Sequence, residues 1–238
     1  MRILHLTPIL FVLFAACHNP DACLQGAGKA HTRTIPLSEI SHVHIHGIFV
    51  VELVPDTCNK VEVQAGENLL KSVHIEQNET GVHCYNASRC AMFKGYEKIH
   101  ARVHFSHIDS LTVWEACEIH NELPIESNLT IQYMTMMGDV HLNLNNQNTK
   151  ITTLNKAGGL IELSGTSTNA NFSINYTAEL RAQNLHTETT TISSTTRANC
   201  TVYATQKLSA AANRKGKILY AGNPQEVVVK NGRVEAIQ

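Results

Sequence analysis

Three histidines at alternate positions, His42-x-His44-x-His46, are the constellation in this chain most suggestive of chemistry. Alternate residues of a strand share a face, and a His-x-His pair can fill two positions around a zinc ion. At strand rise His42 and His46 lie about 13 Å apart, so all three cannot ligate one ion without a bend. No acidic or cysteine partner stands at a fixed spacing from them, and the chain holds 14 histidines. The expected role is a solvated strand face, with His42, His44 and His46 kept as weak metal candidates. His100-x-x-x-His104 with His107 is a weaker pattern of the same kind.

The other reactive side chains are dispersed. Of seven cysteines, none forms a Cys-x-x-Cys, so neither a zinc knuckle nor a thioredoxin-like redox site is indicated. Cys84 and Cys90 are the pair that sequence proximity offers for a disulfide; the alternative is small buried hydrophobes. The acids Glu115, Glu118, Asp139, Glu162, Glu179 and Glu188 do not recur at matching positions. Polysaccharide chemistry needs grouped carboxylates, or calcium beside a base, on one face. No Gly-x-Ser-x-Gly, His-Glu-x-x-His or P-loop is present. The expectation is no enzyme and no cofactor. Met134, Met136 and Met137 read as core filling. Trp114, Tyr133, Tyr176, Tyr203 and Tyr220 fall in different segments; a shared outer face would make a stacking platform, but inward or isolated rings are expected.

The elements that must carry these side chains are short strands. From Leu111 onward one motif of about 20 residues recurs, opening at Leu111, Leu129, Ile151, Phe172, Thr190, Leu208 and Val227. Each copy begins with an apolar/polar alternation, passes a small or turn-prone stretch, and alternates again. Lys156-Ala157-Gly158-Gly159 before Leu160-Ile161-Glu162-Leu163 is one such copy. Period-2 runs rich in Thr, Ile and Val, bounded by Gly and Asn, are strands. No sustained 3.6-residue period competes with them. Strand and turn at 18–22 residues per unit predict coils of a parallel β-solenoid, which bury an interior only against one another. A β-sandwich is the alternative with similar strand spacing.

Upstream, Ile40, Val43, Ile45, Phe49, Val51 and Leu53 are expected to point inward, with a break of step near Gly47. Residues 1–16 read as an export signal: Arg2, then the mostly apolar Ile3–Ala16, too short to span a bilayer. Phe14-Ala15-Ala16-Cys17 resembles the lipobox of bacterial lipoproteins, which makes Cys17 the expected lipidation site and new N-terminus. Acyl chains such as palmitate contribute about 0.8 kcal/mol per buried methylene to anchoring. Residues 17–31 are expected to form a tether leading into the first strand, and 32–238 a single solenoid domain. Loss of residues 1–16 leaves 18 basic side chains against 20 acidic, a balance that does not suggest nucleic acid.

Ile40-x-x-Val43-x-Ile45-x-Gly47-x-Phe49-x-Val51-x-Leu53, then Val61-x-Val63 and Gly66-Glu67-Asn68-Leu69-Leu70, resembles the putative autotransporter-adhesin head (GIN) domain family. The tail Ile218-x-Tyr220-x-Gly222-Asn223-Pro224 is similar to that family's closing motif, and Leu24–Gly28 to its first strand. The family's repeated Ser-Gly-Ala-Gly turn is replaced here by Trp114-Glu115-Ala116, Asn155-Lys156-Ala157-Gly158 and Asn213-Arg214-Lys215-Gly216. The resemblance implies an all-β, right-handed parallel β-helix, and an origin among Bacteroidota, where such proteins often carry a lipoprotein signal. The expected protein is a cell-envelope lipoprotein of the outer membrane, an adhesin-like module for a glycan or protein ligand. The alternatives are an inward-facing periplasmic scaffold and a polysaccharide-active β-helix enzyme. An uncapped solenoid end would let copies pair as a homo-oligomer.

Overall fold

The computed structural model describes residues 26–88, 97–134, 138–213 and 216–237. The described residues begin with β1 (Ala30–Pro36), β2 (His42–His46), β3 (Val50–Pro55) and β4 (Lys60–Gly66). A single helical turn, α1 (Glu67–Leu70), leads to β5 (Val73–Asn78) and β6 (Gly81–Asn86). Next come β7 (His100–Phe105), β8 (Ser110–Val113), β9 (Glu118–His120) and β10 (Leu129–Tyr133). Three long strands then bend around the corners of the coil: β11 (Val140–Thr153), β12 (Gly158–Ile174) and β13 (Thr177–Ser194). The last are β14 (Cys200–Tyr203), β15 (Lys207–Ala212), β16 (Ile218–Ala221), β17 (Glu226–Asn231) and β18 (Val234–Ala236).

These strands stack in parallel to form the β-solenoid expected from the repeat. One wall runs β6, β2, β8, β10, then the second halves of β11 to β13, then β15 and β17. A second wall runs β7, β3, β9, the first halves of β11 to β13, then β14, β16 and β18. Antiparallel strands close the amino-terminal end, β5 against β6 on the first wall and β4 and β1 beyond β7 on the second. The strand β1 crosses the expected 31/32 boundary, and of the expected first-strand segment Leu24–Gly28 the described part, Gly26–Gly28, precedes the first described strand.

The interior is built from inward rows. Val82, Val43, Leu111, Ile131, Ile151, Phe172, Ile192, Ala210 and Val229 occupy matching positions in successive strands of the first wall. All but Val229 are buried. From Leu111 their offsets are 20, 20, 21, 20, 18 and 19 residues, steadier than the spacing of the motif openings. Leu129, Thr190, Leu208 and Val227 belong to a neighbouring inward row with Thr149 and Ala170, so the openings read from sequence mix two rows. Alternation alone does not distinguish positions two residues apart.

One arrangement departs from coil-after-coil stacking. The coil made by β2 and β3 lies between the β6–β7 coil on one side and the β8–β9 coil on the other. The antiparallel excursion through β4 and β5 carries the chain around the end before it returns. Inside the corners, buried polar groups are paired, as they must be to offset desolvation. Ser167 and Thr149 both donate to Asn146 Oδ1, at 2.7 and 3.0 Å. Outside, Asn169 donates to Asn148 Oδ1, and Asn231 to Asn213 Oδ1, each bond linking one coil to the next.

Candidate functional site: an aromatic and imidazole ladder

The outer face of the first wall is mostly small and polar. In the row of His44 the residues below β2 are Thr112, Gln132, Thr152, Ser173 and Ser193. At the capped end that row changes to rings. His83 of β6 stands beside His44 of β2, with Thr112 next in line. Tyr85 stands beside His46, and Trp114 follows, placed by its N–H bond to the Ile45 carbonyl at 3.0 Å.

Two glycines permit this closeness. Gly47 has φ +107°, and a Cβ there would meet the Asn86 carbonyl oxygen at 2.4 Å. Gly81, at φ +128°, would meet the His42 carbonyl oxygen at the same distance. Both conformations are ones that side-chain-bearing residues rarely adopt. The glycines bracket β2 and β6, so the two strands approach without obstruction at both ends. Asn86 Nδ2 then donates to the Ile48 carbonyl at 2.7 Å and ties the far end.

The rings lie face to face at strand spacing. His44 and His83 have centroids 4.4 Å apart with planes 10° from parallel. His46 lies 4.5 Å from Tyr85 and 5.4 Å from Trp114, at 18° and 15°. One column is Tyr85–His46–Trp114 and the other His83–His44. Faces are used within the stack, so the columns present ring edges outward as a ridge. Trp114 is 38 % exposed.

Hydrogen bonds define a direction through the imidazoles. Thr80 Oγ1 donates to Asn78 Oδ1 at 2.6 Å, so it accepts from His83 Nε2–H at 2.8 Å. His83 Nδ1 then accepts from His46 Nε2–H at 3.3 Å. His44 Nε2–H donates to the Thr80 carbonyl at 3.1 Å. The tautomers follow from these partners. Burial first, and then the neighbouring imidazoles, lower the pKa of His46 and of His83 below 6.5; Glu76 opposes the shift at His83. Neutral rings suit the stack because a second proton on His83 would face the His46 N–H.

The histidine triplet therefore has a different setting from the one expected. His42, His44 and His46 do share an outer face, but His44 and His46 are half-buried in the ladder, and His42 Nδ1 pairs with Ser110 Oγ at 2.8 Å. Among the described residues no group of three or more His, Cys, Asp or Glu side chains is disposed to hold a metal ion. His83 and Tyr85, absent from the sequence-based candidates, complete the ladder. A signal existed: His83-x-Tyr85 repeats the alternation of His44-x-His46.

The other candidates separate. Tyr133 is inward and 1 % exposed, whereas Tyr203 stacks on His186 at 4.5 Å and Tyr176 is exposed. Trp114 is neither inward nor isolated, contrary to expectation. Met134 is half-buried, and Met136 and Met137 lie outside the described residues. Cys84 is buried within β6; Cys17 and Cys90 lie outside the described residues. Burial pushes the thiols of Cys84 and Cys117 up to about 12. Alkylation at pH 8, mapped by mass spectrometry, should therefore modify exposed Cys58 and leave Cys84, Cys117 and Cys200 intact until the chain unfolds. Rapid native-state labelling of Cys84 would contradict this burial.

A second polar cluster lies on the outer face of β3, β7 and β4. Arg102 pairs with Glu52 at 2.8 Å, and buried His104 pairs with Asp56 at 2.9 Å. Asp56 also lines an open groove of about 990 Å³ with His107, Glu126 and Asn145. Its carboxylate already accepts from His104 and from the Thr57 and Cys58 amides. The acids Glu162 and Glu179 stand opposite Arg181 and Leu160 rather than each other.

Comparison with known proteins decides the kinship. The family described as "Putative auto-transporter adhesin, head GIN domain" matches residues 40–224. The chain belongs to this family. Among solved structures, this GIN head is similar to a putative adhesin from Bacteroides fragilis, with a TM-score of 0.80 and 17 % identity over 88 % of this chain and 97 % of that one. It is similar to a putative lipid binding protein from Parabacteroides distasonis, with a TM-score of 0.61 and 17 % identity over 90 % and 98 %. A putative adhesin from Parabacteroides merdae aligns with a TM-score of 0.57 and 16 % identity over 90 % and 98 %. At these identities the likeness establishes the GIN head's fold. No curated protein matches it.

Proposed function

We propose that the GIN head is a non-catalytic binding module of the bacterial envelope, held by lipid at Cys17 to the outer membrane and displayed outward. The ring ladder carries this reading. A solenoid wall of Thr, Gln and Ser needs no aromatic column for its own stability, and Trp114 and Tyr85 on the outer face are the residue types enriched at binding hot spots. The ligand would be a host glycan or matrix protein that lies along the ridge. The membership in a family described as adhesin heads supports this reading, as do the export and lipidation pattern of residues 1–17 and the scattered acids.

The test is binding of intact cells and of purified protein to immobilised glycans and matrix proteins. Trp114→Ala with Tyr85→Ala should weaken binding at least about thirtyfold, the equivalent of roughly 2 kcal/mol for a hot spot. External protease should remove the protein from intact cells, and Cys17→Ser should abolish palmitate incorporation. Equal binding by the double variant would remove the ridge from the account. Protection from protease until the envelope is broken would favour the inward-facing scaffold instead.

A further inference from the structure

The two ends of the solenoid are unlike. The amino-terminal end is closed by the antiparallel strands β1 and β5 and by α1. The other end finishes on β17 and β18, which among the described residues pair on one side only, with β15 and β16. Among the described residues nothing covers its interior. Val227 and Val229 continue the inward rows of Leu208 and Ala210, yet they are 40 % and 47 % exposed where those two are 0 % and 1 %.

The free edge has a readable direction. The Glu226 N–H donates to the Gln206 carbonyl at 2.9 Å, so the backbone groups of Glu226 face β15. In a strand, alternate residues address the same neighbour. The N–H and C=O groups of Val227 and Val229 therefore face away from β15, along the open edge. The segment Glu226-Val227-Val228-Val229-Lys230 is also charge-symmetric about Val228 in the antiparallel sense.

We propose that β17 pairs antiparallel with β17 of a second copy, about a two-fold axis at Val228. Val227 then lies opposite Val229 of the second copy, and the reverse, each pair exchanging two hydrogen bonds. The inward valines join two open interiors into one. On the outer face Glu226 meets Lys230 of the second copy, twice over. Lys230 is itself the extra residue of a bulge in β17, between Val229 opposite Ala210 and Asn231 opposite Ala211, and a lysine at a bulge on an edge deters strands at large. Only the two-fold register offsets that lysine with a carboxylate, so the same device selects the partner. Among the described residues the opposite end is edged by the antiparallel β1 and β5, whose sequences lack this charge symmetry, and the assembly closes as a dimer rather than growing into a fibre. This pairing is independent of what the ring ladder binds.

The test is sedimentation of the full chain in detergent over a concentration series. The chain should sediment as a dimer. Lys230→Glu and Glu226→Lys each place like charges opposite and should weaken the dimer about a hundredfold. The double variant Glu226→Lys with Lys230→Glu should restore it. Circular dichroism and Trp114 emission, read at the far end of the solenoid, confirm that each variant is folded. If the Glu226 variants misfold through loss of the 2.9 Å pair with Lys207, cross-linking decides. Residues opposed without mutual hydrogen bonds have Cα atoms about 4.5 Å apart, within disulfide range. Val228→Cys should give a 228–228 disulfide on mild oxidation, identified by mass spectrometry. Ser209→Cys, one strand inward, should not. A monomer at every concentration with no 228–228 link would overturn the proposal, as would a dimer indifferent to the charge changes.

Discussion

Replacing Phe172 by alanine should destabilise the solenoid by about 3–5 kcal/mol and split its unfolding into two steps. Phe172 is 1 % exposed and sits inward between Ile151 and Ile192 of the adjacent coils. Its loss removes transfer free energy and leaves a cavity that the stacked strands, tied by hydrogen bonds above and below, cannot easily collapse. A domain is stable by only about 5–15 kcal/mol, so the fraction lost is large. Because each coil touches only its neighbours, the defect weakens the coupling between two halves. Trp114 is the single tryptophan and lies in the amino-terminal half, so its emission reports that half alone. In denaturant, far-ultraviolet dichroism of the variant should begin to fall before Trp114 responds. Leu123→Ala, at a side chain 59 % exposed, should change stability by less than about 0.5 kcal/mol. Coincident transitions in the Phe172 variant would show a single cooperative unit instead of a chain of coupled coils.

Acid should loosen the ring ladder before it affects the rest of the fold. The pKa of His46 and of His83 lies below 6.5 in the folded chain, from burial first and from neighbouring imidazoles second. As pH falls, the unfolded chain takes up protons at about 6.5 while the folded ladder still resists them. Stability is thus insensitive to these groups above about pH 7, and declines as pH drops through 6.5 towards the folded-state values. Carboxylates act lower down. Asp56 is held below 3.8 by its hydrogen bond from His104, and Glu62 below 4.5 by its bond from Lys60, so their contribution is lost only in stronger acid. Trp114, with its ring 5.4 Å from His46, should report the first event as a change in emission between pH 7 and 5. Each kcal/mol removed lowers Tm by about 2–4 °C for a domain of this size. His46→Gln with His83→Gln should flatten both responses. A Trp114 signal that titrates unchanged in the double variant would assign it to another group.

If the ladder is the ligand surface, binding should weaken over the same pH interval. Two imidazolium rings cannot stack at strand spacing without repulsion, and His83 protonated at Nδ1 would confront the His46 N–H. Protonation of His83 leaves its Nε2–H bond to Thr80 Oγ1 in place and removes the acceptor that its Nδ1 offers to His46.

The alternation in β2 and β3 was legible in the chain itself. Val43, Ile45, Val51 and Leu53 point inward, and His42, His44 and His46 outward, because a strand places successive side chains on opposite faces whatever surrounds it. The coil length was legible for a related reason: a closed circuit of short strands and corners must return to the same row after a near-constant number of residues. Family kinship was legible in the segments Ile40–Leu53 and Gly66–Leu70. Which strands lie side by side was not. His83 reaches His44 across 39 residues and Trp114 reaches His46 across 68, through the antiparallel detour of β4 and β5. The same limit moved the repeat's opening from Ile131 to Leu129, two positions with equal alternation but different rows. A backbone dictates the face of its own side chains locally, whereas lateral neighbours are chosen by packing between distant segments. The ridge at Trp114 and the open edge at β17 are therefore properties of the folded stack, although every residue in them follows a local rule.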